Sequence, residues 1–210
     1  SSAASDVYKR QFQGGGQGAS SSQDGKSGLL FPTTAADTSV ELAEARAPIL
    51  VLMRQYVSDS GGAGRYRGGL GQAIQCRKLY DDGTVADARL YPIGVGSDTP
   101  GLFKGQAGGP TWARIMDSNG VELSNLGVGG MFSLRNTELV ADLLLAGGSG
   151  YGDPLDRPYS EVQCDLDGEY VTPEGAERDY GCVIGANGQI AAAASDDLRK
   201  KRRKVRKAVE

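Results

Sequence analysis

Ser58-Asp59-Ser60-Gly61-Gly62-Ala63-Gly64-Arg65-Tyr66-Arg67-Gly68-Gly69-Leu70-Gly71 lies between two strand-like segments, 49–57 and 72–79, and its reading decides the fold. Two Gly-Gly-x-Gly units bracket a compact Arg-Tyr-Arg. Glycine loses more conformational freedom on folding than any other residue, so this density needs a structural return. Either the backbone takes φ > 0 or it approaches another backbone closely, with two guanidinium groups at the tip. Arginine offers planar, multi-donor geometry matched to a carboxylate or phosphate. One reading is an anion site made by Asp59, Gly61, Gly62, Arg65 and Arg67, with glycine N–H groups forming a nest that the arginines complete. The other is a structural turn whose arginines pair with Asp59 or with backbone carbonyls. Neither the Walker A spacing nor the kinase glycine-rich pattern fits the run.

Working outward, strand candidates fall at 49–57, 72–80, 87–93, 112–117, 121–124, 131–134 and 138–145. Asp82-Gly83 and Asn119-Gly120 sit between apolar runs and read as hairpin turns. Seven short strands with close turns predict an antiparallel sheet or sandwich-like body. Val40 to Ala47 reads as a short helix, with Asp37, Thr38 or Ser39 as N-cap and Pro48 as its stop. A second glycine loop, 146–154, follows the last strand. Gly148, Gly150 and Asp153 would either close over a substrate or connect strand to helix, with Asp153-Pro154 starting the helical region. Tyr159, Val162, Cys164 and Leu166 leave a partly apolar helical face. Thr172-Pro173-Glu174 is an N-cap, a proline at the first helical position and an acidic first turn, and Gly181 ends that helix at Tyr180. Residues 191–209 read as a last helix with a thin apolar stripe, Leu198, Val205 and Val209. The fold class is therefore α+β, an antiparallel sheet-rich body followed by C-terminal helices.

Composition narrows the chemistry. The chain of 210 residues has 39% hydrophobic residues and 32 glycines, which predicts a folded, loop-rich domain. No apolar run reaches the roughly 18–20 residues of a membrane span, and no signal peptide opens the chain, so a cytoplasmic protein with no membrane partner is expected. Histidine is absent. Ser-His-Asp, Cys-His and H-E-x-x-H chemistry is thereby removed from this segment, leaving carboxylates, Lys, Tyr or Cys for acid–base work. Cys76, Cys164 and Cys182 are far apart without C-x-x-C spacing, and read as reduced, mostly buried thiols. Glu41 and Glu44 share one helix side and read either as a base with its orienter or as surface acids.

Charge is uneven. Arg199 to Lys207 holds 8 of the 23 basic residues, and only Glu210 of the 26 acids follows it, leaving residues 1–198 with 15 positive and 25 negative charges, a net of −10. An acidic body repels nucleic acid, so the tail is the only candidate contact for it. That tail carries no aromatic platform, which counts against nucleic acid as a partner and leaves an acidic partner subunit or a solvated helix face. Residues 1–28 are rich in Ser, Gly and Gln and are expected to be flexible. Residues 1–11 look like a translated adapter remnant, so the natural sequence would begin near Phe12. The G-x-G-x-x-A match at Gly14, Gly16 and Ala19 has neither a preceding strand nor a following helix and is set aside. The expected organisation is an N-terminal segment 1–28, a body 29–195 and a basic helical tail 196–210.

Five motifs in order carry a family resemblance: residues 31–41 (Phe-Pro-Thr-Thr-Ala-Ala-Asp-Thr-Ser-Val-Glu), the run 59–71, Thr99-Pro100-Gly101-Leu102-Phe103, residues 147–155, and Tyr170–Glu174 with Arg178–Gly181. Together they resemble the C-terminal part of the hydantoinase B/oxoprolinase family, which includes acetone and acetophenone carboxylase subunits. The resemblance covers about Gly14 to Leu198 and implies a fragment of a longer subunit. It implies an ATP-dependent enzyme that opens a hydantoin, 5-oxoproline or lactam ring, or carboxylates a ketone. In such enzymes a kinase-like, hydantoinase A-type partner phosphorylates the substrate carbonyl oxygen. ATP and a divalent metal would then belong to the complete enzyme and not to this segment, which would be inactive alone; the catalytic residues are not among those recognised. The alternative is a non-catalytic assembly segment that docks the partner subunit. Two departures stand out. Lys104 occupies a position where glycine is expected, implying a different turn or contact, and the Ala35-Ala36-Asp37-Thr38-Ser39 form is nearer the carboxylase branch.

Overall fold

A computed structural model describes residues 13–29, 38–83, 85–90, 99–127 and 130–209. The adapter-like residues 1–11, most of the 31–41 motif and the end of the third predicted strand lie outside the described residues. The strands are β1 (Ile49–Tyr56), β2 (Gln72–Lys78), β3 (Ala86–Leu90), β4 (Trp112–Met116), β5 (Glu122–Asn125), β6 (Gly130–Leu134) and β7 (Val140–Leu145). Five form an antiparallel sheet in the order β1-β2-β7-β4-β5, and β3 pairs with β6 in a second, two-stranded sheet. Period-2 alternation brings Ile115 and Ala141 to one face, where they pack with Phe132 and Leu134 of β6 and with Cys76. The α+β expectation therefore holds, with four α-helices among the described residues: α1 (Val40–Arg46), α2 (Tyr159–Asp167), α3 (Pro173–Tyr180) and α4 (Ala192–Val209).

The turns divide. Asn119-Gly120 joins β4 to β5 as read, with Gly120 at φ 81 and the Asp117 carboxylate accepting from the amides of Asn119 and Val121 at 2.9 and 2.8 Å. Asp82-Gly83 does not make a hairpin, because β2 and β3 belong to different sheets. Asp82 pairs with Lys78 at 2.7 Å, and Asp81 accepts from the amide and hydroxyl of Thr137, tying this turn to the connection between β6 and β7.

The helix signals are realised locally. Ser39 is the N-cap of α1, accepting from Leu42 N. Thr172 caps α3 with Pro173 inside it, and Gly181 closes it in the left-handed conformation at φ 62. Val162, Val171, Ala176, Tyr180 and Cys182 form the core beneath the helices, with Ala63 of the glycine run inserted among them.

The basic tail is docked along one side and solvated along the other. Arg199, Arg202, Arg203 and Arg206 recur at i, i+3, i+4 and i+7, so they lie on one side of α4. Arg199 donates to the carbonyls of Tyr180 and Arg157 at 2.9 Å each, Arg202 to that of Arg178, Arg203 to that of Leu155 and to Asp156, and Arg206 to Asp153. A four-residue arginine stripe thus docks where an apolar stripe would ordinarily sit. Lys200, Lys201 and Lys204 are exposed. Guanidinium forks reach helix-end carbonyls that a compact ammonium would leave to water.

The glycine runs settle their own question. Within 58–71 only Asp59 has positive φ, at 61°, so the glycines serve close approach. Residues 146–151 form the axis of a bundle of extended segments, and its hydrogen bonds repeat every third residue. The amides of Gly147 and Gly150 donate to the carbonyls of Gly109 and Gln106, and those of Gly148 and Tyr151 to Gly69 and Tyr66. The carbonyls of Ala146 and Ser149 accept from Gly16 and Ala19. Three faces bonded to three neighbours is the period of a polyproline II helix, and glycine is what fits where such chains crowd, as at the axis of collagen. A Cβ on Gly147 would lie 1.7 Å from Ser60 O, and one on Gly68 1.8 Å from Gly148 O.

Residues 13–28 belong to this bundle, which corrects the expectation of flexible chain across 1–28 for those positions. Gln17 N donates to Lys26 O, and Gly69 N to Gln17 O. Low apolar content does not leave this segment free, because backbone groups hold it. Gly147→Ala is expected to cost more than about 4 kcal/mol in urea denaturation, since backbone must move to admit the methyl group. Gly120→Ala, where a Cβ meets nothing within 4 Å but φ is 81°, should cost only about 1 kcal/mol.

Candidate functional site

The two glycine runs singled out separately meet in space. Gly62 N donates to Gly148 O at 2.8 Å, and Gly150 packs against the carbonyls of Ala63 and Gly62. The amides of Gly62, Gly68 and Gly69 are all bonded to backbone carbonyls, which removes them from any phosphate nest. Asp59, Arg65 and Arg67 do not converge on a common ligand position. Asp59 turns to α3, where its carboxylate accepts from the amide of Thr172 at 2.9 Å and from its hydroxyl at 2.5 Å. That hydroxyl in turn accepts from Gly175 N at 3.0 Å, so Asp59 secures the cap of α3.

Arg65 donates to Glu161 at 2.9 Å and lies over the Tyr66 ring, with a side chain 32% exposed. Arg67 is buried. Its Nε donates to Asp165 at 3.2 Å, its Nη1 to Gly68 O at 2.7 Å, and its guanidinium packs over Tyr170. Arg65 and Arg67 therefore pair with carboxylates of α2 and, for Arg67, with a backbone carbonyl, and not with Asp59.

Arg157 organises the cluster. It is 2% exposed and grips Asp24 with two 2.8 Å bonds while reaching Asp165 at 2.8 Å and Arg65 O at 3.1 Å. Asp24 also accepts from Arg67 N at 2.7 Å. The result is a closed set of three arginines (65, 67, 157) and three carboxylates (24, 161, 165) linking the N-terminal segment, the glycine run and α2. Burial works to raise Asp24, but the bonds and charge of Arg157, joined by Arg67, hold it below the usual carboxylate range. Burial pushes Asp165 upward against the pull of Arg67 and Arg157. Burial opposes the charge on Arg157, yet its two carboxylate partners raise its affinity for the proton.

None of Asp24, Arg157 and Asp165 is evident from the sequence as a site residue. Asp24 lies in a segment of low apolar content. Arg157, Glu161 and Asp165 do recur at helical spacing, a signal for one charged face.

The remaining predicted residues are placed as follows. Asp153 accepts from Leu155 N, starting a short 3-10 turn (Pro154–Asp156), and pairs with Arg206. Glu44 accepts from Val51 N at 2.8 Å and Glu41 is exposed, so the two do not form a catalytic pair. Cys76 is half-buried, Cys164 exposed and Cys182 buried, all three free thiols. Burial pushes the Cys76 thiol up to about 11. Leu102–Gly105 is a tight turn closed by Gly105 N to Leu102 O at 3.0 Å, with Phe103 at φ 51 and Lys104 at φ 74. Lys104 thus takes the left-handed conformation for which glycine was expected.

No group of three or more His, Cys, Asp or Glu side chains able to hold a metal occurs among the described residues. The amides of Gly62, Gly68 and Gly69, each bonded to a carbonyl, are not free to cradle a phosphate. No helix of the described residues is long and apolar enough to cross a membrane.

A sheet-rich body, a glycine bundle and a C-terminal helical cap joined by buried arginines define an α+β unit. The pattern of the Hydantoinase B/oxoprolinase family matches residues 4–154, and the chain belongs to that family. The match begins inside the stretch read as adapter-derived.

Caprolactamase subunit beta from Pseudomonas jessenii is 33% identical over 164 residues, covering 74% of this chain and 27% of that protein. The acetone carboxylase alpha subunit of Xanthobacter autotrophicus is 28% identical over 227 residues, covering 89% of this chain and 29% of that subunit. The crystal structure of the ATP-dependent caprolactamase from P. jessenii superposes with a TM-score of 0.71 at 29% identity, over 89% of this chain and 32% of that one. The chain spans less than a third of the length of these relatives.

Arg157→Met leaves the buried Asp165 and the half-buried Asp24 without a main partner and should destabilise the chain by about 3–5 kcal/mol in urea denaturation. Hydrogen exchange should then rise first at residues 16–26. A thiol reagent at pH 8 should label Cys164 in the folded chain and reach Cys76 and Cys182 only on unfolding.

Proposed function

We propose that this chain is the C-terminal part of a hydantoinase B-type subunit of an ATP-dependent enzyme that opens a cyclic amide or carboxylates a ketone. It works with a kinase-like, hydantoinase A-type subunit in the cytoplasm. Within that enzyme the segment is a scaffold. The observation that carries this reading is the fate of the polar groups around the glycine runs. Asp59 secures a helix cap, Arg67 and Arg157 are buried against carboxylates, and the bonded glycine amides face carbonyls.

Such a segment holds its neighbours in place and leaves activation by ATP and the metal-dependent step to residues outside it. Zero histidine is consistent with that division. The relatives supply the reaction class: one is described as a caprolactamase and the other as an acetone carboxylase, so a lactam and a ketone are the two substrate classes to test.

The test replaces the matching portion of the P. jessenii caprolactamase beta subunit with this sequence and measures subunit assembly and ATP-dependent caprolactam hydrolysis. The exchanged enzyme should assemble and turn over, and the isolated chain should not turn over. Arg65→Ala in the exchanged enzyme should change kcat/KM by less than about threefold. Loss of turnover by Arg65→Ala with assembly intact, or turnover by the isolated chain, overturns the scaffold reading.

A further inference from the structure

We infer that the Leu102–Gly105 turn is a preorganised knob that seats Phe103 in a pocket formed by the remainder of the same large subunit. The inference rests on the reading above, that the chain is one part of a longer protein. Three observations converge on this turn.

The first is exposure: Leu102 is 59% exposed, and Phe103, at 72%, is the most exposed large apolar side chain among the described residues. The Phe103 ring is tilted at 52° to that of Tyr151, with centroids 5.0 Å apart. The second is rigidity. The turn rises from the glycine bundle and is pinned on both sides, by Leu102 N to Gly150 O, Gly152 N to Leu102 O and Gln106 N to Ala63 O. Its two ends are pinched so that a Cβ on Gly101 would lie 2.2 Å from Gly105 O. The third is backbone cost. Phe103 and Lys104 are consecutive side-chain-bearing residues at positive φ, where L-residues are disfavoured.

A surface loop free to relax would shed both the strain and the aromatic exposure. A loop that inserts into a pocket keeps them, because a rigid aromatic anchor loses little entropy on docking. Strain held by surrounding structure also clusters at clamps and contacts.

The occupant is argued from length. The matched relatives extend well beyond the third that aligns, so on the reading above the same subunit carries further polypeptide of more than twice the aligned length, and the turn is assigned to it. Phe103 supplies an apolar plug, and the complementary feature is an apolar pocket in that remaining chain.

The experiment uses the exchanged caprolactamase and the isolated chain side by side. Hydroxyl-radical labelling of Phe103 should be strong in the isolated chain and at least about fivefold weaker in the exchanged beta subunit, before any partner subunit is added. Phe103→Ser should lower the melting midpoint of the exchanged subunit and leave that of the isolated chain unchanged. Lys104→Gly should raise the midpoint of the isolated chain by about 3 °C while preserving protection of Phe103. Equal labelling in both contexts overturns the inference while leaving the proposed function standing. Protection that appears only when the partner subunit is added overturns the assignment of the occupant. Failure of the exchanged subunit to assemble overturns the proposed function, and the knob with it.

Discussion

The structure depends on backbone packed directly against backbone. Around residues 146–151 the neighbouring chains lie so close that a single methyl group would overlap a carbonyl oxygen. In most domains the elements are held apart by interdigitating side chains and cohere through apolar area. Here the central layer coheres through amide–carbonyl bonds distributed over three directions, and its surroundings must supply the apolar burial that it cannot. Two separate cores meet that need, one under the sheet and one beneath the helices.

The charged cluster follows from the same constraint. A bundle made of glycine has few side chains with which to fix its position relative to its neighbours. Arg157, reaching Asp24 and Asp165 at once, provides that register. Buried ion pairs add little net stability compared with apolar packing, but breaking one is costly, so they discriminate strongly against misplacement. The arginine stripe of α4 does similar work at the far end, where it satisfies carbonyls left over at the C-terminus of α3.

Much of the fold was legible in the sequence because its signals are local. The strands announced themselves by apolar runs, Asn119-Gly120 by its turn chemistry, and α3 by Thr172, Pro173 and Gly181. What failed was non-local. Asp82-Gly83 carries the same local signature as a hairpin turn, yet the strands it separates pair elsewhere. Residues 13–28 look flexible because composition measures apolar content, and their backbone partners lie far along the chain, at Arg67 and Gly69 and at the carbonyls of Ala146 and Ser149. The site was less legible still. The arginines at 65 and 67 have chemistry suited to an anion, and nothing adjacent in sequence reveals that Glu161 and Asp165 will meet them. The tail's i, i+3, i+4, i+7 spacing was visible, but an arginine stripe reads as solvated unless its carbonyl acceptors are known.

The glycine bundle also has a consequence for the order of folding. Its bonds join Gly16 to Ala146 and Gly69 to Gly148, contacts of very different sequence separation that no apolar collapse directs. Loop-closure entropy must be met before these contacts return anything, so high-separation pairings form late and slowly. The β1–β2 and β4–β5 pairs can form on their own, whereas the bundle waits until the segment after β7 is available. During synthesis, residues 13–28 emerge ahead of the rest of the bundle and find their place only when Ala146 and Ser149, some 130 positions later, become available.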